Sequence, residues 1–422
     1  MADTPTPTKA DRRIEQMPIL YNLLVDREAF VQVNGDKMLM VEHIDFPDMR
    51  PFINKAWEKI YFKDCCFFGI SSFLRIQNCI FENCLFMAQF QAQVMDNVVF
   101  LRCRFEGESY LLTGMSSVKN DELTAKALVF KECAFIGSTS DRNRRGAISP
   151  RGDVYYEACR AKWFDVAGMG KVVYKNCAFE ESDMICGEAD ENDPIFAEMI
   201  VDGCTLTQTL RIGANLRSLI FKNNTFDYVS LAADILGDAQ LSDLRGGFLN
   251  IRLDQAQTVT LKNCVLEGYE PPEDYDGSFQ CTLGDKSHVD HLIVENIKCR
   301  EDKTHDEDFI GNCLHGKVTN VSLKDAHLPV ASFMLAAETA TLEKVFTKTF
   351  YFSKTKIDHL TIHEVVVSEN IIFNDAKIGS ANFDQLRCHP GVRPLMVGSS
   401  NVEAVKTASG ALSFEIKAAG KK

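Results

Sequence analysis

An all-β parallel β-helix with a small N-terminal α/β cap is the fold that this sequence predicts, and two observations predict it. The first is an eight-residue unit, typified by Val172-Val173-Tyr174-Lys175-Asn176-Cys177-Ala178-Phe179. Its pattern is apolar, any, apolar, polar, Asn or acidic, Cys, any, Phe. The second is its recurrence at starts mostly 18 to 33 residues apart, settling near 20 toward the C-terminus. Periods of this size mark solenoids, in which each short strand pairs with its counterpart one turn on, roughly 4.8 Å away.

Residues 1–13, rich in Thr, Pro and charge, are expected to be disordered. Residues 14–58 form the candidate cap, since the first strand edge of a solenoid needs covering. In it, Pro18 to Arg27 reads as a helix, with Ile19, Leu20, Leu23 and Leu24 at helical spacing. Phe30 to Val41 reads as a hairpin turning at Asn34-Gly35. A second short helix is expected around Pro47 to Trp57.

The β-helix spans 59–395. Its copies are Ile60–Phe67, Leu74–Phe81, Val98–Phe105, Leu128–Phe135, Val154–Ala161, Met199–Leu206, Leu219–Phe226, Val259–Leu266, Leu292–Cys299, Val321–Leu328 and Leu360–Val367, with looser ones from Ala340 and Ala381. The sixth position is Cys at 65, 79, 103, 133, 159, 177, 204 and 264. Positions one, three, six and eight point inward, and the polar fifth position marks a bend. Asn78, Asn176, Asn223, Asn263 and Asn296 would stack there as a ladder. Residues 396–422 form a last coil, or a C-terminal cap and tail.

A finer step appears late in the chain, where inward residues recur every five positions: Phe352, Ile357, Ile362, Val367, then Phe373, Ile378, Phe383, Cys388. The run Ala376-Lys377-Ile378-Gly379-Ser380-Ala381-Asn382-Phe383-Asp384-Gln385 resembles the pentapeptide-repeat family. That resemblance, clearest over 321–388, implies a right-handed quadrilateral β-helix with about four pentapeptides per coil. A three-sided coil with a corner Asn ladder also fits Val259 to Leu266.

Composition limits the function. The net charge of −13 disfavours direct nucleic-acid binding, which needs a basic face. No apolar run approaches the roughly 20 residues of a membrane span, and no secretory h-region opens the chain. With 15 cysteines, most at one inward position, free thiols in a reducing, cytoplasmic compartment are expected, although export without a cleaved signal stays open. No cofactor motif is present.

The sharpest site candidate is the outward second position, which reads Val99, Val129, Tyr155, Val173, Ile200, Ile220. An apolar stripe of that length suits a protein partner or self-association, or else packs beneath another part of the chain. The fourth position is often Lys. A carbohydrate-active β-helix is the first alternative, with Asp153, Glu157, Asp202 and Lys175 as residues that could converge. An acidic nucleic-acid mimic that binds a DNA-binding protein is the second. The Cys and His residues between Cys281 and His315 lack the close pairing of a zinc site. His359 and His363 stand too far apart along a strand to share an ion.

Overall fold

The computed structural model describes residues 30–47, 56–69, 71–88, 90–106, 125–136, 152–168, 170–186, 197–214, 216–267, 279–300, 313–406 and 412–416. Every regular element among them is β-structure. The helix expected at Pro18 to Arg27 lies outside these residues, as does most of the one expected around Pro47 to Trp57. Trp57 itself lies in the strand Ala56–Glu58, paired in parallel with Ser71–Glu82. The chain divides into two compact units, to Leu210 and from Arg211.

The first unit is a stack of parallel strands in register, with one irregularity between Ala125 and Leu128. The hairpin at Asn34-Gly35 forms as expected, Phe30–Val33 against Asp36–Glu42, with positive φ at both turn residues. Its second strand then pairs in parallel with Ile60–Lys63. Six more strands follow: Ser71–Glu82, Phe90–Leu101, Ala125–Lys131, Gly152–Glu157, Lys171–Lys175 and Ala197–Asp202, each paired with the one before. These eight strands are rungs one to eight.

Each rung ends at a corner residue with positive φ: His43, Asp64, Asn83, Arg102, Glu132, Ala158, Asn176 and Gly203, at 52° to 69°. This is the fifth position of the unit. Asn and Asp tolerate that left-handed conformation best among residues with a side chain, and Ala bears the usual Cβ penalty. Replacing Ala158 (φ 53°) by Asn is therefore expected to raise stability by about 1 kcal/mol, read as an upward shift of the thermal midpoint.

The residue after the corner turns inward, and here the sequence frame needs one correction. Phe62 pairs with Phe81, and Cys79 with Val98, so the third rung's unit is Cys79–Phe86 and not Leu74–Phe81. Cys84 holds the sixth position and Cys79 the first. Asn78 belongs to a separate corner, where Asn97 Nδ2 donates to its Oδ1 at 2.9 Å. The ladder of the main corner runs instead from Asn83 to Asp64 and, in the second unit, from Asn296 through Asn263 to Asp243.

Inside the stack the third and eighth positions form two aromatic ladders. Phe62, Phe81, Phe100, Phe130, Tyr156 and Tyr174 stack with centroids 4.7 to 5.0 Å apart and rings within 9° of parallel. Phe46, Phe67, Phe86, Phe105 and Phe135 stack likewise at 4.7 to 4.9 Å. The two ladders meet edge to face, for example Phe100 with Phe105 at 5.6 Å. Between them run the thiols. Cys65, Cys84, Cys103, Cys133 and Cys159 each donate to the third-position carbonyl one rung earlier, at 3.1 to 3.6 Å. A small, weakly polar donor suits this place: it caps an inward carbonyl at little desolvation cost. The described cysteines are free thiols.

The second unit repeats the plan. Leu216–Lys222 pairs with Thr225–Leu266, that strand with Phe279–Cys299, and that in turn with Cys313–Ser353. Lys356–His363 and Lys377–Asp384 continue one column, Val366–Asn374 and Arg393–Val397 another. Corners recur at Asn223, Asp243, Asn263, Asn296, Asp325, Lys344, Glu364 and Gln385. Thr355, after another positive-φ residue, Lys354, takes over the thiol's role and donates to the Phe333 carbonyl at 2.6 Å. At the end, Val402–Lys406 and Leu412–Ile416 form an antiparallel hairpin whose buried Phe414 lies against Phe373 and Phe383.

Candidate interaction face

The backbone register decides which second-position residues lie side by side. Val99 pairs with Val129, Val129 with Tyr155, Tyr155 with Val173, and Val173 with Ile200. All five are partly exposed. Sequence spacing had started the stripe at Val99, yet the register carries it back three rungs. Ile80 pairs with Val99, Tyr61 with Ile80, and Met40 with Tyr61, again partly exposed. The unit framed at Leu74 puts Arg75 where Ile80 belongs, and at the first rung His43-Ile44 stands in place of Asn-Cys, so Ile80 and Met40 do not stand out in the sequence; Tyr61 lies in the correctly framed copy Ile60–Phe67 but joins the stripe only through Ile80. The stripe is thus eight rungs long in the first unit.

Ile220, in the second unit, is also partly exposed but pairs with Gln240. After it the same position reads Thr260, Ile293, Ser322, Thr341, Thr361 and Asn382. The apolar character belongs to the first unit.

Two residues on, the fourth position forms a column of alternating charge: Glu42, Lys63, Glu82, Leu101, Lys131, Glu157, Lys175, Asp202, each in register with the next. Lys63 Nζ lies 2.9 Å from Glu42 and Lys131 Nζ 3.2 Å from Glu157. The Lys63 ammonium is held above its usual range, chiefly by its hydrogen bond to Glu42. Alternation has a simple cause: like charges roughly 4.8 Å apart on successive rungs repel, whereas opposite ones attract. The second unit continues the rule with Lys262–Glu295 at 3.0 Å and Lys324–Glu343 at 3.3 Å. The recurrent lysines of the sequence supply the positive members of this column, three of its eight in the first unit.

The other candidate residues fall into place around it. Glu157 and Asp202 do not converge, because Lys175 stands in register between them. Asp153 accepts from the Lys171 amide at 2.9 Å. Cys281 and Cys299 are buried, and His291 pairs along the outward face with Thr258 and Asn320. His359 and His363 are at the surface, 2.8 Å from Ser380 Oγ and Asp384 Oδ2 respectively. Glu42, His43 and Asp64 bring three potential ligand atoms within 4.8 Å of one another, but Lys63 already engages Glu42. Among the described residues no helix is long and apolar enough to cross a membrane. No family model, curated protein or solved structure matches this chain.

Proposed function

We propose that this chain is a noncatalytic interaction protein, built as a right-handed parallel β-helix of degenerate, pentapeptide-like repeats, whose stripe receives a protein partner or another copy of itself. The helical reading is supported by the in-register parallel stacking, with one left-handed corner closing each rung. The functional reading rests on one observation above all: eight consecutive outward positions, Met40 to Ile200, carry Met, Tyr, Ile or Val. A merely solvated sheet face alternates apolar-in with polar-out. The charge column beside the stripe obeys that rule and the stripe breaks it. Contiguous apolar surface of this length marks an interaction site more often than chance exposure.

Capture from a lysate tests this reading, comparing the natural chain with a Val173→Glu/Ile200→Glu variant whose strand content matches by circular dichroism. The natural chain is expected to retain a protein that the variant loses, or to pair with itself where the variant does not. Equal behaviour of the two folded proteins would sink the proposal. Unfolding of the variant would assign the stripe to internal packing.

A further inference from the structure

Resting on that reading of the stripe, we infer that its occupant is a second copy of the chain, docked antiparallel about a two-fold axis at the fourth rung, where Leu101 meets Leu101. In a two-fold interface the same patch serves both partners, so each residue must complement its own image. An axis lying between the copies and along the strands turns one stack end for end and lays each column upon itself. Placed at the fourth rung, it sets the first rung on the seventh, the second on the sixth and the third on the fifth.

The fourth-position column has the required symmetry. Its first seven members are Glu42, Lys63, Glu82, Leu101, Lys131, Glu157 and Lys175, three acids and three lysines with the one apolar residue in the middle. Reflected about Leu101, Glu42 faces Lys175, Lys63 faces Glu157, and Glu82 faces Lys131. Every pair is opposite in sign. Moving the axis by half a rung, to between the fourth and fifth, would place Glu42 on Asp202, Lys63 on Lys175 and Glu82 on Glu157, all like on like. A whole-rung shift, to the third or fifth rung, would set Glu82 on Glu82 or Lys131 on Lys131, so only the fourth rung places an uncharged residue on the axis with opposite charges on either side.

The stripe agrees with that choice. Val99 falls on Val99, Ile80 on Val129, Tyr61 on Tyr155 and Met40 on Val173, so apolar meets apolar throughout. On the far side of the stripe Lys59 comes opposite Asp153, again of opposite sign. Seven overlapping rungs at roughly 4.8 Å, three outward positions wide, give a face of roughly 34 by 17 Å. The two copies together would bury about 1,100 Å², which clears the roughly 1,000 Å² of a biological interface and belongs to the weakly associating end of the range. Electrostatics also favours this face for self-association. The chain as a whole carries −13, so two copies repel over most of their surface, whereas the seven-rung column sums to zero.

Sedimentation velocity on the natural chain and on two variants, Leu101→Glu and Leu101→Lys, tests the axis directly. The natural chain is expected to be a dimer. Each variant alone is expected to be monomeric, since like charges then meet on the axis, and an equal mixture is expected to recover a dimer containing one of each. A natural chain that stays monomeric up to high micromolar concentration overturns the inference, while the lysate comparison still decides the broader reading. So does a dimer that both variants preserve, with no preference for the mixed species. Should a Leu101 variant fail to fold, natural chains with and without heavy-isotope label are mixed and joined by zero-length carbodiimide coupling. Cross-links from Glu82 of one chain to Lys131 of the other are expected, and dimers lacking them would refute the axis.

Discussion

Replacing Phe100 by Ala is expected to remove about 3–5 kcal/mol of stability. Phe100 is fully buried. It lies at 4.8 Å between Phe81 and Phe130 in one ladder and edge-on to Phe86, Phe90 and Phe105 at 5.5 to 6.0 Å. Truncation therefore forfeits both the transfer of the ring and its paired contacts, each worth about 0.5–1.5 kcal/mol beyond area. Relaxation cannot close the gap, because the rings above and below are fixed by rungs whose spacing is set by backbone hydrogen bonds. Phe100→Leu, which refills part of the volume, should recover about half of the loss. Urea midpoints of the three proteins measure this. A loss under about 1 kcal/mol for Phe100→Ala would mean that the ladders do not carry the core.

The ladders were legible in the sequence because stacking forces the same residue type into the same slot. Phe at the eighth position and Cys at the sixth recur for that reason, and they fixed the frame of most copies correctly. The failure at Leu74 has the same origin. Cys79-Ile80-Phe81 mimics the Cys-x-Phe ending of a unit, yet five residues later Cys84-Leu85-Phe86 fits as well, and only pairing with neighbouring rungs separates the two. The first rung escaped notice because His43 adopts the corner conformation that Asn usually takes, and Ile44 fills the thiol's place. The alternating charges could not be seen as a column until the copies were aligned in space. Repeat identity was thus written in single units, whereas the interaction face is a property of the register between them.

Raising the pH from about 8 to about 10 is expected to unfold the first unit, with the buried thiols as the cause. Burial pushes Cys79 up to about 12, and it also raises Cys84, Cys133 and Cys159, helped by the neighbouring thiols of the column. At Cys103 burial acts the same way, but both neighbours can donate to its sulfur, so it holds its proton less tightly than either. The sign follows from proton counts. An unfolded thiol titrates near about 8.5, so above that pH the unfolded chain has lost protons that the folded chain keeps. Stability is then complete below about pH 8 and falls by about 1.4 kcal/mol per pH unit for each such thiol. Cys204 is raised as well, by its contact with Cys177 and by burial, so the five raised thiols of the first unit together give a slope of about 7 kcal/mol per unit, comparable to the whole stability of a domain. Thr355 supplies the control, since its hydroxyl fills the same corner role without an ionisable proton in this range. Cys133→Thr should therefore keep the carbonyl capped and flatten the slope by one thiol's share. Urea midpoints that do not move between about pH 8 and about pH 10, in either protein, would show that the thiols are not held as neutral donors in the core.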